Sequence, residues 1–244
     1  MRVIIALAVI AIVGPTWAAD GVATDGDTLR VNDRMFRLDG IDAPEIDQTC
    51  LDDSAKVWPC GVEARDRLNA HINNRPVQCE DRGPDPFYPK RRMGICLIPG
   101  EALTLNQWLV LEGWAINFEP YAKGRFTDEE SDARENWRGI WGACFAEPRD
   151  VRRWNLNGAK LLGAGCRRGH ENRTREKLFR VDAAMPPGCP IKGKLALRAQ
   201  IPGHQGVYHM PGCRSYRGLK RAQRWFCSEE DAQAAGFRRA LTCS

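Results

Sequence analysis

Polar and apolar residues alternate with a period of two along Thr28-Leu-Arg-Val31 and Met35-Phe-Arg-Leu38, which predicts two half-buried strands with Asn32-Asp33 as the turn between them. Just upstream, Asp25-Gly26 reads as a tight turn, because glycine tolerates positive φ and aspartate caps its own turn. Pro44 then forces an extended bend and leaves Asp42 and Glu45 at a strand terminus. Helical spacing follows over Gly61–Ile72, where Val62, Ala64, Leu68 and Ile72 share a face, and Asn73-Asn74-Arg75-Pro76 stops it. Pro76-Val-Gln-Cys79 and Met93–Ile98 read as strands joined by a proline- and charge-rich loop over 80–92. Leu103–Glu112 predicts a second helix, with Thr104 at its start and Gly113 as its stop. Phe126–Trp137 predicts a third, capped by Thr127 ahead of Asp128-Glu129-Glu130, where negative charge suits the helix dipole. Strands with helices threaded between and after them define the α+β class.

Two features outside this pattern change the picture. Met1-Arg2, the apolar run Val3–Val13 and the small residues around Ala18 have the form of a cleavable export signal over residues 1–18, too short in its apolar part to span a bilayer. The chain also contains 10 cysteines, all beyond that segment, and in an exported protein the default is disulfides. Both point to a periplasmic or secreted protein with no membrane anchor once the signal is removed. Cys50 and Cys60 read as a local staple, and Cys79 and Cys96 face each other across neighbouring strands. The composition, 43% hydrophobic and 27% charged over 244 residues, allows one large domain or one domain with an appendage. A net charge of +5 suits a polyanionic partner, though solubility accounts for it equally.

The candidate chemistry gathers between residues 25 and 45. Asp27 and Asp42, on adjoining strands, can supply carboxylates to a hard cation, and the Ala43 carbonyl a neutral oxygen. Glu45 then lies one water away, placed to take a proton from it. Elsewhere, His71 and His170 lack partners at ligand spacing, no serine sits in a nucleophile elbow, and there is no phosphate-cradling P-loop.

The stretch GDTLRVNDRMFRLDGIDAPEIDQ resembles the thermonuclease (staphylococcal nuclease-like) family, whose signature is DGDT…RL…(I/V)D-x-P-E. Arg91–Cys96, Leu105–Ala115, Ala133-Arg134 and Gly139-Ile140-Trp141 extend the match in order, from about Gly21 to Trp154. The resemblance implies an OB-type β-barrel carrying helices, and Ca²⁺-dependent hydrolysis of phosphodiester bonds in DNA, RNA or both with little sequence preference. It makes Asp27, Asp42 and the Ala43 carbonyl the Ca²⁺ ligands, Glu45 the base or positioner of the attacking water, and Arg37 the first phosphate-binding arginine. The second falls on Arg91, with Arg92 as competitor, because Asp85-Pro-Phe-Tyr-Pro-Lys-Arg-Arg92 departs from the family's Asp-x-Tyr-Gly-Arg. That altered loop also keeps a rival reading open: a non-catalytic nucleic-acid-binding or envelope protein on a degenerate nuclease fold.

On this division residues 19–154 form the barrel domain. Residues 155–188 form a basic linker, within an arginine-rich stretch that begins near Arg149, and 189–244 a small cysteine-rich module. The last resembles the module that accompanies some bacterial thermonuclease-like proteins and, more distantly, the zinc module of the bacterial DNA-alkylation repair regulator. His209, Cys213 and Cys243 match zinc-ligand positions of the latter, but Ala240 stands at the fourth, so the site is one ligand short. The alternative is disulfides, Cys213 with Cys243 and Cys189 with Cys227, leaving Cys144 to pair with Cys166.

Overall fold

The computed structural model describes residues 19–180, 183–196 and 204–243; the expected export signal at 1–18 lies outside them. Five strands close into a barrel in the order β1 (Ala19–Ala23), β2 (Thr28–Val31), β3 (Arg34–Leu38), β5 (Arg92–Leu97) and β4 (Pro76–Pro84). Alternation does the sorting: Leu29, Val31, Phe36 and Leu38 are buried, while Arg30 and Arg34 face out. β2 pairs with β3 in the register Thr28↔Arg37, β3 runs parallel to β5, and Ala19↔Val77 closes the ring. Helix α1 (Cys60–Ile72) brings Leu68 and Ile72 to the same core, and α2 (Leu105–Leu111) brings Leu105, Leu109 and Val110.

Local chemistry sets most boundaries. Asn73, at φ 47°, ends α1 in the left-handed conformation that asparagine tolerates. Thr104 begins α2 with a full capping box against Gln107. Three expectations need correction. Thr127 does not cap α3 (Thr127–Glu135); Phe126 holds the cap position and the Thr127 hydroxyl donates instead to the Gly124 carbonyl at 3.1 Å. The stretch 80–92 is not loop throughout, because β4 runs on to Pro84 through a bulge at Asp81/Gly83 and the loop is confined to 85–91. Gly26 needs no positive φ; a Cβ there would meet the Ala43 Cβ at 2.8 Å, so glycine serves the close approach of that strand end.

After α3 the chain forms helix α4 (Pro148–Arg152), and the segment 155–188, expected as a basic linker, carries packed elements of its own. Leu161-Leu162 pairs with Phe145-Ala146, and helix α5 (Glu171–Leu178) buries Leu178 against Leu51, Ala146 and Val151. The last unit is a four-stranded sheet ordered β8 (Arg224–Phe226), β6 (Ile191–Leu195), β7 (Gly206–His209), β9 (Phe237–Arg239), backed by helix α6 (Glu229–Ala234). All five bridges form as the cysteine reading paired them: Cys50–Cys60, Cys79–Cys96, Cys144–Cys166, Cys189–Cys227 and Cys213–Cys243. The bridge between Cys213 and Cys243 uses the sulfurs that a zinc would need. Among the described residues no helix is long and apolar enough to cross a membrane.

Candidate active site

Asp27 sits at the mouth of β2, and the β2–β3 register places Arg37 opposite Thr28, one residue along. The short strand Ile41-Asp42, held by Ile116-Asn117, returns Asp42 to the same end of the barrel. One nitrogen of Arg37, Nη2, donates to Asp27 Oδ2 at 3.0 Å and to Asp42 Oδ1 at 2.7 Å. Asp27 also accepts from the Thr28 hydroxyl at 3.1 Å and the Ala43 amide at 3.4 Å. Asp42 is fully buried, and its Oδ2 has no hydrogen-bond partner. Burial raises its pKa, more than the facing Arg152 and Arg37 guanidiniums lower it.

Pro44 turns the chain so that Glu45 joins this group. Its Oε1 accepts from Arg152 Nε at 2.7 Å and its Oε2 from Arg224 Nη2 at 2.9 Å. Burial opposes its ionisation, but the guanidiniums of Arg152, Arg224 and Arg37 win and hold its pKa at about 2. Arg152 Nη2 also donates to Asp42 Oδ1. Arg224, at the start of β8, grips Asp47 through two nitrogens at 2.8 and 3.0 Å, and the next amide, Trp225 N, donates to Asp47 Oδ2 at 2.7 Å. The second module thus closes one side of the site. Behind Glu45 a cavity of about 30 Å³ is walled by Asp25, Asp27 and Arg91 from the barrel and by Phe226 and Asp231 from the module. Burial and the charges of Asp27, Glu45 and Asp231 drive the Asp25 carboxyl well above the usual range.

Of the residues singled out from the sequence, Asp27, Asp42, Ala43, Glu45 and Arg37 come together. Arg91 is buried and reaches the inner cavity, but its Nε and Nη2 both donate to Asp85 Oδ2, at 2.9 and 2.6 Å. Arg92 turns outward to Asp81. The sequence reading places Arg152 only within the basic stretch and gives Arg224 and Asp47 no role in the site, because no spacing signal ties residues 107 or 179 positions downstream to Glu45, and Asp47 finds its partner only when Arg224 arrives. Two carboxylates held by a common nitrogen, one with a buried oxygen still lacking a partner, are the oxygen donors nearest to what a hard cation takes, and among the described residues no group of three or more acids, histidines or cysteines is arranged to hold a metal.

A closed five-stranded barrel bearing paired acids and clustered arginines at one end defines the class. Residues 35–143 match the family of staphylococcal nuclease homologues. Residues 179–239, covering much of the second module, match the family ArfC. The chain is also similar to the succinoglycan biosynthesis protein ExoI of Rhizobium meliloti (strain 1021), with 33% identity over 120 residues, 49% of this chain and 61% of that protein. The match therefore spans about three fifths of the relative's length.

Proposed function

We propose that this protein is an exported, Ca²⁺-dependent nuclease that hydrolyses phosphodiester bonds of DNA, RNA or both. The observation that carries the reading is the convergence at one barrel end of Asp27 and Asp42 on Arg37, with Glu45 joined to Asp42 through Arg152. Export is supported by five disulfides, which persist in oxidising compartments.

Asp27, Asp42 and the Ala43 carbonyl would hold the cation, which supplies Lewis acidity toward a phosphate oxygen. Arg37 donates to non-bridging oxygens, where charge accumulates as the bond breaks, so its contacts strengthen toward the transition state. A guanidinium suits this role because its planar fork offers paired donors and stays charged. Glu45 orients the attacking water and accepts its proton. A carboxylate with a pKa of about 2 is a weak base, so its basicity rises as the Arg152 and Arg224 guanidiniums release it.

The direct test is cleavage of labelled single- and double-stranded DNA and RNA by the chain from residue 19 onward, across a Ca²⁺ titration and with a chelator. Product that appears with Ca²⁺ and vanishes with the chelator supports the reading; no product on any substrate sinks it. One observation favours a second reading, a nucleic-acid-binding or envelope protein without turnover: both Glu45 oxygens are engaged by arginines. The naming of a relative for succinoglycan biosynthesis keeps that reading in view. Salt-sensitive binding with no product at saturating Ca²⁺ would select it.

A further inference from the structure

Arg37 and Arg152 are anchored on the same atom, since Nη2 of each donates to Asp42 Oδ1. Two guanidiniums are thereby held side by side at the barrel end. Each keeps donors to spare: Arg37 uses only Nη2, and Arg152 only Nε and Nη2, so Nη1 of both lacks a partner among the described residues. The side chains are 16% and 19% exposed, and their spare Nη1 donors are not buried, so they face solvent where an anionic ligand can take them up.

Both arginines also line the larger opening. A groove of about 430 Å³ runs past Arg37 and Arg152 and is bordered by Arg149 and Arg153 from the same helical stretch. Arg91 does not line it. Arg91 reaches only the cavity of about 30 Å³, which Arg37 and Arg152 also line and which has room for water but not for a phosphate group. Arg91 is moreover committed twice to Asp85, and the backbone bond from Asp85 N to Arg91 O at 2.9 Å closes the same loop.

We propose that the second phosphate-binding guanidinium of this chain is Arg152, supplied from beyond the matched nuclease domain, and that Arg91 is a structural strap of the 85–91 loop. The assignment rests on the nuclease reading and specifies its substrate contacts: Arg37 and Arg152 together receive one phosphodiester from the open groove. It predicts that a nucleic-acid strand binds even when chelator prevents hydrolysis.

The test is the dissociation constant of a fluorescent single-stranded oligodeoxynucleotide in chelator, with kcat/KM measured in parallel with Ca²⁺. Arg37→Gln and Arg152→Gln should each weaken binding about tenfold or more, the scale of a lost charge-assisted phosphate contact. Each should also reduce the slope of log affinity against log salt by about 0.7. Arg152→Lys keeps a charge between Asp42 and Glu45, guards against misfolding and should bind with intermediate affinity. Removing the charges of Arg91 and its partner together, in Asp85→Asn/Arg91→Met, should leave binding within about twofold because the ion pair is lost as a unit. Wild-type affinity in Arg152→Gln, a loss in the Asp85/Arg91 pair equal to that of Arg37→Gln, or no binding by the wild-type chain would each overturn the assignment. Arg152-dependent binding without cleavage at saturating Ca²⁺ contradicts the nuclease reading alone. Unimpaired cleavage by Arg152→Gln contradicts the arginine assignment alone.

Discussion

Asp42 shows how single side chains set the character of the site. It is buried, anchors two guanidiniums on one oxygen and leaves the other without a partner. Such a group is tolerable only as part of a charge network, and removing any member leaves the rest uncompensated. Asp85 works differently. Burial alone would raise its pKa, but Arg91 and the Phe87 amide outweigh that and lower it. A carboxyl depressed in the folded state stabilises the protein above its unfolded pKa of about 3.9, and that contribution disappears as pH falls through the lower folded value. The stability difference between wild type and Asp85→Asn should therefore be full near neutrality and shrink on acidification below about pH 4, which denaturant melts across pH would record. Gly26 carries a steric constraint: Gly26→Ala puts a methyl 2.8 Å from the Ala43 Cβ. About 1–3 kcal/mol of destabilisation is expected from the shift in denaturation midpoint. The acids and Arg37 could be read from the chain because they lie within one local motif, whereas Arg152 and Arg224 reach Glu45 only through tertiary folding.

At the scale of elements, patterning located four of the five barrel strands and helices α1 and α2, because each has a one-sided apolar face over a fixed period; β1 was not among them, and α3 was read from its acidic first turn. It failed where exposure hides the period. The β4–β5 ribbon beyond Glu80 is largely solvated and bulged, so its residues carry no alternation to mark it as strand. The barrel closure and the four-stranded sheet, with its parallel β7–β9 pair, depend on contacts distant in sequence and left no local trace. Caps are more legible, since their chemistry is local. Thr104 accepts from the Gln107 amide at 3.1 Å, and the Gln107 side chain returns to the Thr104 amide. Thr104→Ala should cost about 1 kcal/mol, measured by equilibrium unfolding, with little change in the site.

The whole molecule is joined across its two halves at Arg224. This fully buried guanidinium satisfies Asp47 and Glu45 from the barrel side, and Trp225 N reinforces the hold on Asp47. The second module is therefore part of the wall of the site as well as a unit stapled by its own disulfides. Arg224→Ala leaves two buried carboxylates without that partner, and a loss of about 3–5 kcal/mol is expected. Hydrogen exchange at the Trp225 amide should accelerate in that variant before the barrel strands respond; unchanged protection would show that the modules are joined elsewhere. No composition, charge or motif argument marked residue 224, because its role exists only once both modules have folded against each other.

The acid–arginine cluster either performs chemistry or only binds. The most direct measurement is the initial rate of Ca²⁺-stimulated hydrolysis of single-stranded DNA by the wild-type chain and by Glu45→Ala, both verified as folded. The expected result is Ca²⁺-dependent product from the wild type and a fall of about 10²–10⁴-fold in the variant, the usual contribution of a positioned proton acceptor. Equal rates for the two proteins, or no hydrolysis by the wild type at saturating Ca²⁺, would contradict it.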